Sequence, residues 1–374
     1  MKKHTTVCLQ NHFFAEKERV LVTHGGLRVS VFRYDTSVAA IKVSNQKGEI
    51  ILLPYQGQQI WRCRFFDREL TMKSMFEAPE PTQEYLRTYG GFFLHCGASA
   101  MGVPSKADAH PLHGELPNAP YQQAFVSCGE DERGAYVVVG GQYEHKVAFN
   151  HRYLAEPAVK MYEDSAMLDV SMAITNLLKT EMDVMYLAHI NFRPVDHAEL
   201  VYTADYDAEH VRVSVNVPEH IKTSVPIERF KEFLHALQKD PALHHRLDPD
   251  ALYDPEVVMA IQYKADADGM AHSMQVHPDG CADYVGHRPS QLDQALRWIA
   301  RTPDQDALGL VLPANTGNGG FLAEKAAGNI QKLAAGKTAR FDLRVGLLSP
   351  EEVKRMNGKI KAIKHGKRTG DADR

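Results

Sequence analysis

Short apolar runs that alternate with polar residues dominate the first half of the chain. Turn-forming residues such as Gly25-Gly26 and Lys47-Gly48 separate them. Alternation with a period of two is typical of half-buried β-strands, and close turn residues connect such strands as hairpins. We predict strands at residues 18–24, 26–33, 37–43, 46–54, 60–66, 135–141, 167–176, 183–192, 257–263, 272–278, 307–313 and 338–348.

Helical periodicity is confined to the later part of the chain. Residues 226–240 are predicted to form a helix, with Ile227, Phe230 and Leu234 on one face. A second helix is predicted over residues 290–300, with Ser290 as its candidate N-cap. Strands that do not alternate with helices disfavour a doubly wound parallel sheet. We therefore predict an all-β, mainly antiparallel sandwich with a few inserted helices, forming one domain over residues 1–350.

Residues 72–120 break the pattern of strands. Prolines, glycines, histidines and aromatic residues crowd this stretch. A long segment rich in turn formers favours functional loops laid over a scaffold. After residue 350 the sequence becomes basic and polar, which predicts a solvated terminal helix and tail over residues 351–374.

Composition excludes several classes of protein. The chain has 374 residues, 44% hydrophobic and 24% charged, and its net charge of −4 argues against nucleic-acid binding. No apolar run of membrane-spanning length occurs, so we expect no membrane partner. The N-terminus lacks an apolar core behind its lysines, and the five cysteines show no CxxC spacing. These features predict a cytoplasmic protein with reduced thiols.

Histidine is the conspicuous candidate for chemistry, with 19 in the chain. No phosphate-binding or nucleotide-binding glycine motif is present, so we expect no cofactor. His110 and His113 have HxxH spacing, but Pro111 and Gly114 favour a loop over a metal-binding helix, and we expect no metal. The pair His244-His245 lies in a polar segment and is expected at the surface.

His189 stands near the end of an apolar strand, in the sequence YLAHINFRP. An imidazole titrates near neutrality and can give and recover a proton within one turnover. The alternative is a half-buried strand histidine with a backbone partner. Both interpretations stay open on the sequence alone.

Several motifs in order resemble the aldose 1-epimerase (galactose mutarotase-like) family, and in particular its bacterial branch. They are LLPYQGQQIWRCRF, TYGGFFLHCGASAMGVP, HPLHGELPNAP, AITNLLKTEMDVMYLAHINF, and ALGLVLPAN with GKTARFDLRVGLL. The resemblance covers residues 20 to 350. It implies a β-supersandwich with the active site on a concave face and a small-molecule sugar as the ligand.

The resemblance also implies roles for residues. Its histidine motifs match His113, in HPLHG, and His189, which is the better candidate for the general acid. Sugar hydroxyls and faces need hydrogen-bonding groups and flat apolar rings. The candidates for substrate binding are Arg87, His95, Asn118, Asn191, Arg193, Trp61 and Phe192.

One departure concerns the general base. The family carries a glutamate in its late strand, whereas this chain reads Gly309-Leu310-Val311-Leu312-Pro313. Glu115, beside His113, is the candidate replacement, and an exposed loop acid is the alternative. The expected function is anomer interconversion by His-assisted ring opening, and a non-catalytic sugar-binding or regulatory protein is the second interpretation. The sequence leaves the oligomeric state open, a homodimer included.

Overall fold

The computed structural model describes residues 4–217 and 222–366 and resolves the chain into two compact units. Unit 1 comprises Met1–Thr71, Phe76–His189 and Asn315–Leu343. Unit 2 comprises Met72–Met75, Ile190–Ala314 and Arg344–Arg374. Both units are mainly antiparallel β-structure, which confirms the expected fold class. The single domain expected for residues 1–350 stays a prediction.

The strands are numbered along the chain. Thirteen come first, in unit 1 except for the last residue of the thirteenth: Thr5–Cys8 (β1), Arg19–His24 (β2), Leu27–Arg33 (β3), Ala39–Ser44 (β4), Gly48–Leu52 (β5), Ile60–Phe65 (β6), Arg68–Glu69 (β7), Phe93–Ala98 (β8), Gln123–Asp131 (β9), Gly134–Val147 (β10), His151–Tyr162 (β11), Met167–Asn176 (β12) and Met182–Ile190 (β13). Unit 2 holds the next seven: Glu199–Tyr202 (β14), Val211–Val213 (β15), Val257–Ile261 (β16), Ala271–Val276 (β17), Ala282–His287 (β18), Gln294–Arg301 (β19) and Asp306–Ala314 (β20). Two more complete the described residues: Gln331–Leu333 (β21), in unit 1, and Thr338–Leu348 (β22), which begins in unit 1 and ends in unit 2.

Helices are few among the described residues. The α-helices are Ile227–Lys239 (α1), Phe321–Ala326 (α2) and Pro350–Lys364 (α3). Single 3₁₀ turns cover Asn11–Phe13, Tyr85–Thr88 and Pro241–His244. The prediction of a helix over 226–240 is confirmed by α1, which buries Phe230, Leu234 and Leu237.

Unit 1 contains two rows of hydrogen-bonded strands. In one row the order is β13-β8-β6-β5-β4-β3-β2, and in the other it is β1-β9-β10-β11-β12. Apolar residues on paired strands face the same way, as Ile41 opposite Leu52 shows, and both are fully buried. Each such side chain contributes about 1.5–3 kcal/mol by leaving water.

The sequence predicted loops over the stretch 72–120, but part of this stretch is a strand. Phe93–Ala98 forms β8, and each of its six residues is buried. The glycines and prolines on both sides hid this strand, because its own run of apolar residues is short. Loops do occupy most of the remainder, including residues 99–120.

Unit 2 has the strand orders β15-β16-β19-β20 and β18-β17-β14. The prediction of a helix over 290–300 is wrong, because Gln294–Arg301 is strand β19, paired with β16 on one side and β20 on the other. A central strand is buried on both faces and reads as a continuous apolar run, which periodicity cannot separate from a buried helix. His244, expected at the surface, is also buried.

The predicted basic tail begins as helix α3. Ser349 and Glu352 form a capping box at its start, in which each side chain bonds the other residue's backbone N–H. Val353, Ile360 and Ile363 are buried, so one face of the helix is packed and the other carries the basic residues. Residues 367–374 of the expected tail lie outside the described residues. Across the described part of the chain, no helix combines the length and apolarity that crossing a membrane requires.

Candidate active site

His113 and His189 lie in ring contact in unit 1. Their ring centroids are 5.4 Å apart and their planes are nearly perpendicular, at 79°. His189 belongs to β13, and His113 lies in the loop that follows β8. Two tyrosines complete a four-ring cluster: Tyr85 lies 5.1 Å from His113, and Tyr89 lies 5.8 Å from His189. The structure thus brings together the two histidines that the sequence singled out.

The backbone holds His113 in an unusual conformation. Its φ of 59° is in the left-handed region, which costs a non-glycine residue energy. The N–H of His113 donates to the carbonyl of Gly102 over 3.0 Å, and its own carbonyl accepts from the N–H of Gly97 over 2.9 Å. The loop is therefore tied to β8 at the residue that presents the imidazole.

Gly114 is required by the same turn. Its φ is 81°, and a Cβ at this position would lie 2.5 Å from the carbonyl oxygen of Gly97 and closer still to that of Ala100. Only glycine fits such a backbone approach. The HG pair in HPLHG is thus a structural unit that aims the His113 ring.

His113 is neutral at neutral pH. Burial of its ring, with a smaller effect from the neighbouring His189, lowers the pKa of His113 to about 3. Its Nδ1 is buried and makes no hydrogen bond to any described residue. A neutral imidazole offers one donor and one acceptor, so His113 suits hydrogen bonding to a sugar hydroxyl better than donating a proton.

Glu115 is held by four donors. Its Oε1 accepts from the N–H of Ala98 over 3.2 Å, the N–H of Ser99 over 3.0 Å and the hydroxyl of Tyr153 over 2.5 Å. Its Oε2 accepts from Ser99 Oγ over 3.1 Å. A carboxylate with this many partners is fixed in place. These contacts favour a role in anchoring the loop to the end of β8.

Asn118 and Gln59 form a buried amide pair. Gln59 Nε2 donates to Asn118 Oδ1 over 2.6 Å and to the carbonyl of Pro117 over 2.8 Å. Asn118 Nδ2 and Gln59 Oε1 are buried and make no hydrogen bond to a described residue. A donor and an acceptor in this state are suited to a sugar hydroxyl.

Two predicted contact residues lie in the core of unit 1. His95 is fully buried, its Nδ1 lies 2.7 Å from Tyr186 Oη, and burial lowers the pKa of His95 to about 3. Trp61 is fully buried in a cluster with Val38 and Leu53. Neither ring presents a face to solvent, so both positions favour packing over sugar contact.

The remaining residues predicted to bind substrate belong partly to unit 1 and partly to unit 2. Arg87 in unit 1 is exposed, and its Nη1 lies 3.7 Å from Oε1 of Glu84. In unit 2, Asn191 and Phe192 are buried, and Arg193 is exposed. The backbone of Phe192 bonds that of Leu308 on β20.

Metal binding finds no support among the residues described, since no group of three or more His, Cys, Asp or Glu side chains is arranged to hold an ion. His110 instead contacts the start of α2, where its Nε2 accepts from the N–H of Phe321 over 3.2 Å. On β20, Val311 and Leu312 are both buried, so the stretch in which the family carries its glutamate is apolar here.

Sequence reasoning missed the residues that support the site. Tyr153, on β11, is buried and donates to Glu115, yet it lies 38 residues away from it and no local motif marks it. Tyr85 was overlooked because its segment looked like loop. A lone arginine in the apolar run ALRWIA, Arg297, was a readable signal of a buried charge in unit 2.

The comparisons with known proteins agree with this architecture. A family model described as "Domain of unknown function (DUF4432)" matches residues 35–209. Among curated proteins, none matches the chain. The structure of a candidate aldose 1-epimerase from Klebsiella pneumoniae superposes with a TM-score of 0.77 at 16% identity, covering 97% of this chain and 96% of the other.

Two further structures are more distant. A galactose mutarotase-like protein from Clostridium acetobutylicum has a TM-score of 0.53 at 11% identity, with 86% of this chain and 98% of the other covered. One from Lactobacillus casei has a TM-score of 0.50 at 15% identity, with 82% and 99% covered. Identities this low establish the fold alone. The chain therefore has the galactose mutarotase-like fold, as its sequence motifs implied.

Proposed function

We propose that this protein interconverts the anomers of a free or modified aldose. The observation that carries the proposal is the contact between the His113 and His189 rings on a galactose mutarotase-like scaffold. Anomer exchange needs an acid at the ring oxygen and a base at the anomeric hydroxyl. The ring opens to an aldehyde, the C1–C2 bond rotates, and the ring closes on the other face with the protons returned.

The two histidines take different roles. His189 is the proposed proton donor to the ring oxygen, because it stands near the end of a buried strand within the family-like motif. His113, neutral through burial, orients the sugar by hydrogen bonding. Tyr85 and Tyr89 border this pair and supply aromatic surface of the kind that packs against a pyranose.

The identity of the general base distinguishes an enzyme from a binding protein. Glu115 is the nearest candidate in sequence, but its four hydrogen bonds favour a fixed structural carboxylate. Losing a positioned acid–base group typically costs a factor of about 10² to 10⁴ in rate. This arrangement supports a second candidate function, a sugar-binding protein without catalysis.

NMR exchange spectroscopy on a panel of free aldoses separates the two candidates. We expect the wild-type protein to accelerate exchange for at least one sugar and His189→Asn to reduce the rate by about 10² or more. His12→Asn, the same change at an exposed histidine, is the matched control and should leave the rate unaltered. A sugar that binds without accelerated exchange would establish the binding protein instead.

A further inference from the structure

Arg297 in unit 2 is a fully buried cation that forms no ion pair with any acidic residue described. Its Nε donates to the carbonyl of Leu310 over 2.9 Å, and its Nη1 lies 2.7 Å from Nε2 of His244. Its guanidinium stacks on the ring of Tyr202, 4.2 Å from the centroid. All three partners are neutral. Nη2 is buried and makes no hydrogen bond to any described residue.

The same strand also carries an arginine that is paired with carboxylates, which is the usual state of a buried guanidinium. Arg301, four residues further along β19, bonds the carboxylates of Asp196 and Asp306. Leaving a guanidinium buried and unpaired is costly, because its desolvation is not offset by an opposite charge. Arg297 therefore differs from Arg301 on the same strand, whose charge is neutralised by carboxylates.

A β-bulge lies opposite Arg297. The register between β19 and β20 shifts between Leu296 and Trp298, where Leu310 and Val311 of β20 together face the single residue Arg297. Bulges re-aim side chains and are over-represented beside functional sites. The carbonyl that accepts from Arg297 Nε belongs to Leu310, one of these two bulge residues.

Neutral polar groups lie beside the guanidinium. Tyr263 packs against His287, with ring centroids 5.0 Å apart, and its hydroxyl lies 2.7 Å from Ser273 Oγ. Both ring nitrogens of His287 are buried and make no hydrogen bond to a described residue. Tyr202 contacts both the guanidinium and Tyr263: its ring centroid lies 4.2 Å from Arg297 Cζ and 5.9 Å from the centroid of the Tyr263 ring.

The net charge of this cluster is close to +1. Burial lowers the pKa of His287 to about 3 and holds the pKa of His244 well below its usual range, so both imidazoles are neutral at pH 7. Burial also raises the pKa of the Tyr263 hydroxyl, which stays protonated. One guanidinium is balanced by one negative charge, and its planar fork matches a carboxylate.

We propose that unit 2 contains a binding site for a carboxylate-bearing small molecule, with the carboxylate on Nη2 of Arg297 and the imidazole of His287 as a second hydrogen-bonding group. Tyr263 keeps partial exposure. All the groups that form the site belong to unit 2, and the evidence for it is a buried charge, which the argument for anomer exchange does not use.

Calorimetric titration of the whole chain with acetate, D-glucuronate and D-glucose, at constant ionic strength set by sodium chloride, tests the proposal. We expect both carboxylates to bind the wild-type protein and Arg297→Met to weaken glucuronate binding at least tenfold. Arg297→Lys keeps the charge but loses the fork, and should fall between the two. Arg301→Met removes a cation that already has carboxylate partners and should leave glucuronate affinity unchanged.

Circular dichroism establishes that each variant is folded. Equal glucuronate affinity in folded wild-type and Arg297→Met proteins would overturn the proposal, as would inorganic phosphate binding through Arg297 while neither carboxylate binds. Glucose binding reports separately on the proposed sugar function. Acetate has no anomeric centre, so acetate binding that depends on Arg297 would support this site whether or not the proposed sugar function holds.

Discussion

The hydroxyl of Tyr153 donates to Oε1 of Glu115 over 2.5 Å, although 38 residues separate the two in sequence. The proximity of Glu115 is among the causes that raise the pKa of Tyr153 well above its ordinary value, after burial itself. The pair joins strand β11 to the loop that carries His113. Because Tyr153 is fully buried, the bond is shielded from water.

Removing the donor should therefore destabilise the protein. A hydrogen bond to a charged group is worth about 1.5–3 kcal/mol, so we expect Tyr153→Phe to lower the free energy of unfolding by about that amount. Urea denaturation measures it. Tyr136→Phe, a change on the neighbouring strand β10, serves as the control. A variant as stable as the wild type would show that the bond contributes nothing.

Glu115→Gln tests whether this carboxylate acts as the base. Gln keeps an acceptor oxygen for Tyr153 and removes the group that could take up a proton. Since the four donors fix Glu115 in place, we expect the rate of anomer exchange to change by less than about threefold. A loss of about 10² with sugar binding retained would instead identify Glu115 as the base.

Gly114→Ala should disrupt the loop that presents His113. A Cβ there meets two backbone carbonyls that cannot move aside, and φ is unfavourable for alanine. We expect the free energy of unfolding to fall by more than about 2 kcal/mol. Gly358→Ala is the matched control, because its Cβ would enter open space on helix α3, and should stabilise by about 0.5–1 kcal/mol. Thermal and urea unfolding of both variants would decide the comparison.

Buried neutral histidines predict a defined pH dependence of stability. Burial lowers the pKa of both His95 and His287 to about 3, against about 6.5 for an exposed imidazole. Between these values the unfolded chain binds more protons, so the free energy of unfolding rises with pH and is lost as the pH falls. Each group contributes a slope of up to about 1.4 kcal/mol per pH unit.

His95→Gln should remove one such contribution. We expect the slope of unfolding free energy against pH, measured by urea denaturation between pH 6 and 4, to fall by about 1 kcal/mol per pH unit. His12→Gln, at an exposed position, is the comparison and should preserve the slope. An unchanged slope in a folded His95→Gln protein would mean that His95 is protonated in the native state.

Local pattern predicted much of the fold. Amphipathic strands such as residues 338–348 were readable because buried and exposed residues alternate along most of the strand, and helix α1 likewise has one buried face. Strands β8 and β19 were misread, since each is buried on both faces and carries no alternation. The fold type came from the order of several motifs, none of which is long enough alone.

The site was predictable only in part. His113 and His189 were identified because each lies in a motif, one beside glycine and one near a strand end. Their contact, and the anchoring of Glu115 by Tyr153, depend on pairing between distant strands that no local pattern encodes. Burial of His95 was equally hidden, because the sequence predicted loops over the stretch that contains it.

The discontinuous make-up of unit 1 affects the order in which it can form. Asn315 holds β13 at two points, where its Oδ1 accepts from the N–H of Tyr186 over 2.6 Å and its Nδ2 donates to the carbonyl of Val184 over 3.1 Å. During synthesis the whole of residues 190–314 must leave the ribosome before Asn315 is available. The strand that bears His189 therefore acquires these two restraints only late in translation, and a chain that stops short of residue 315 never does.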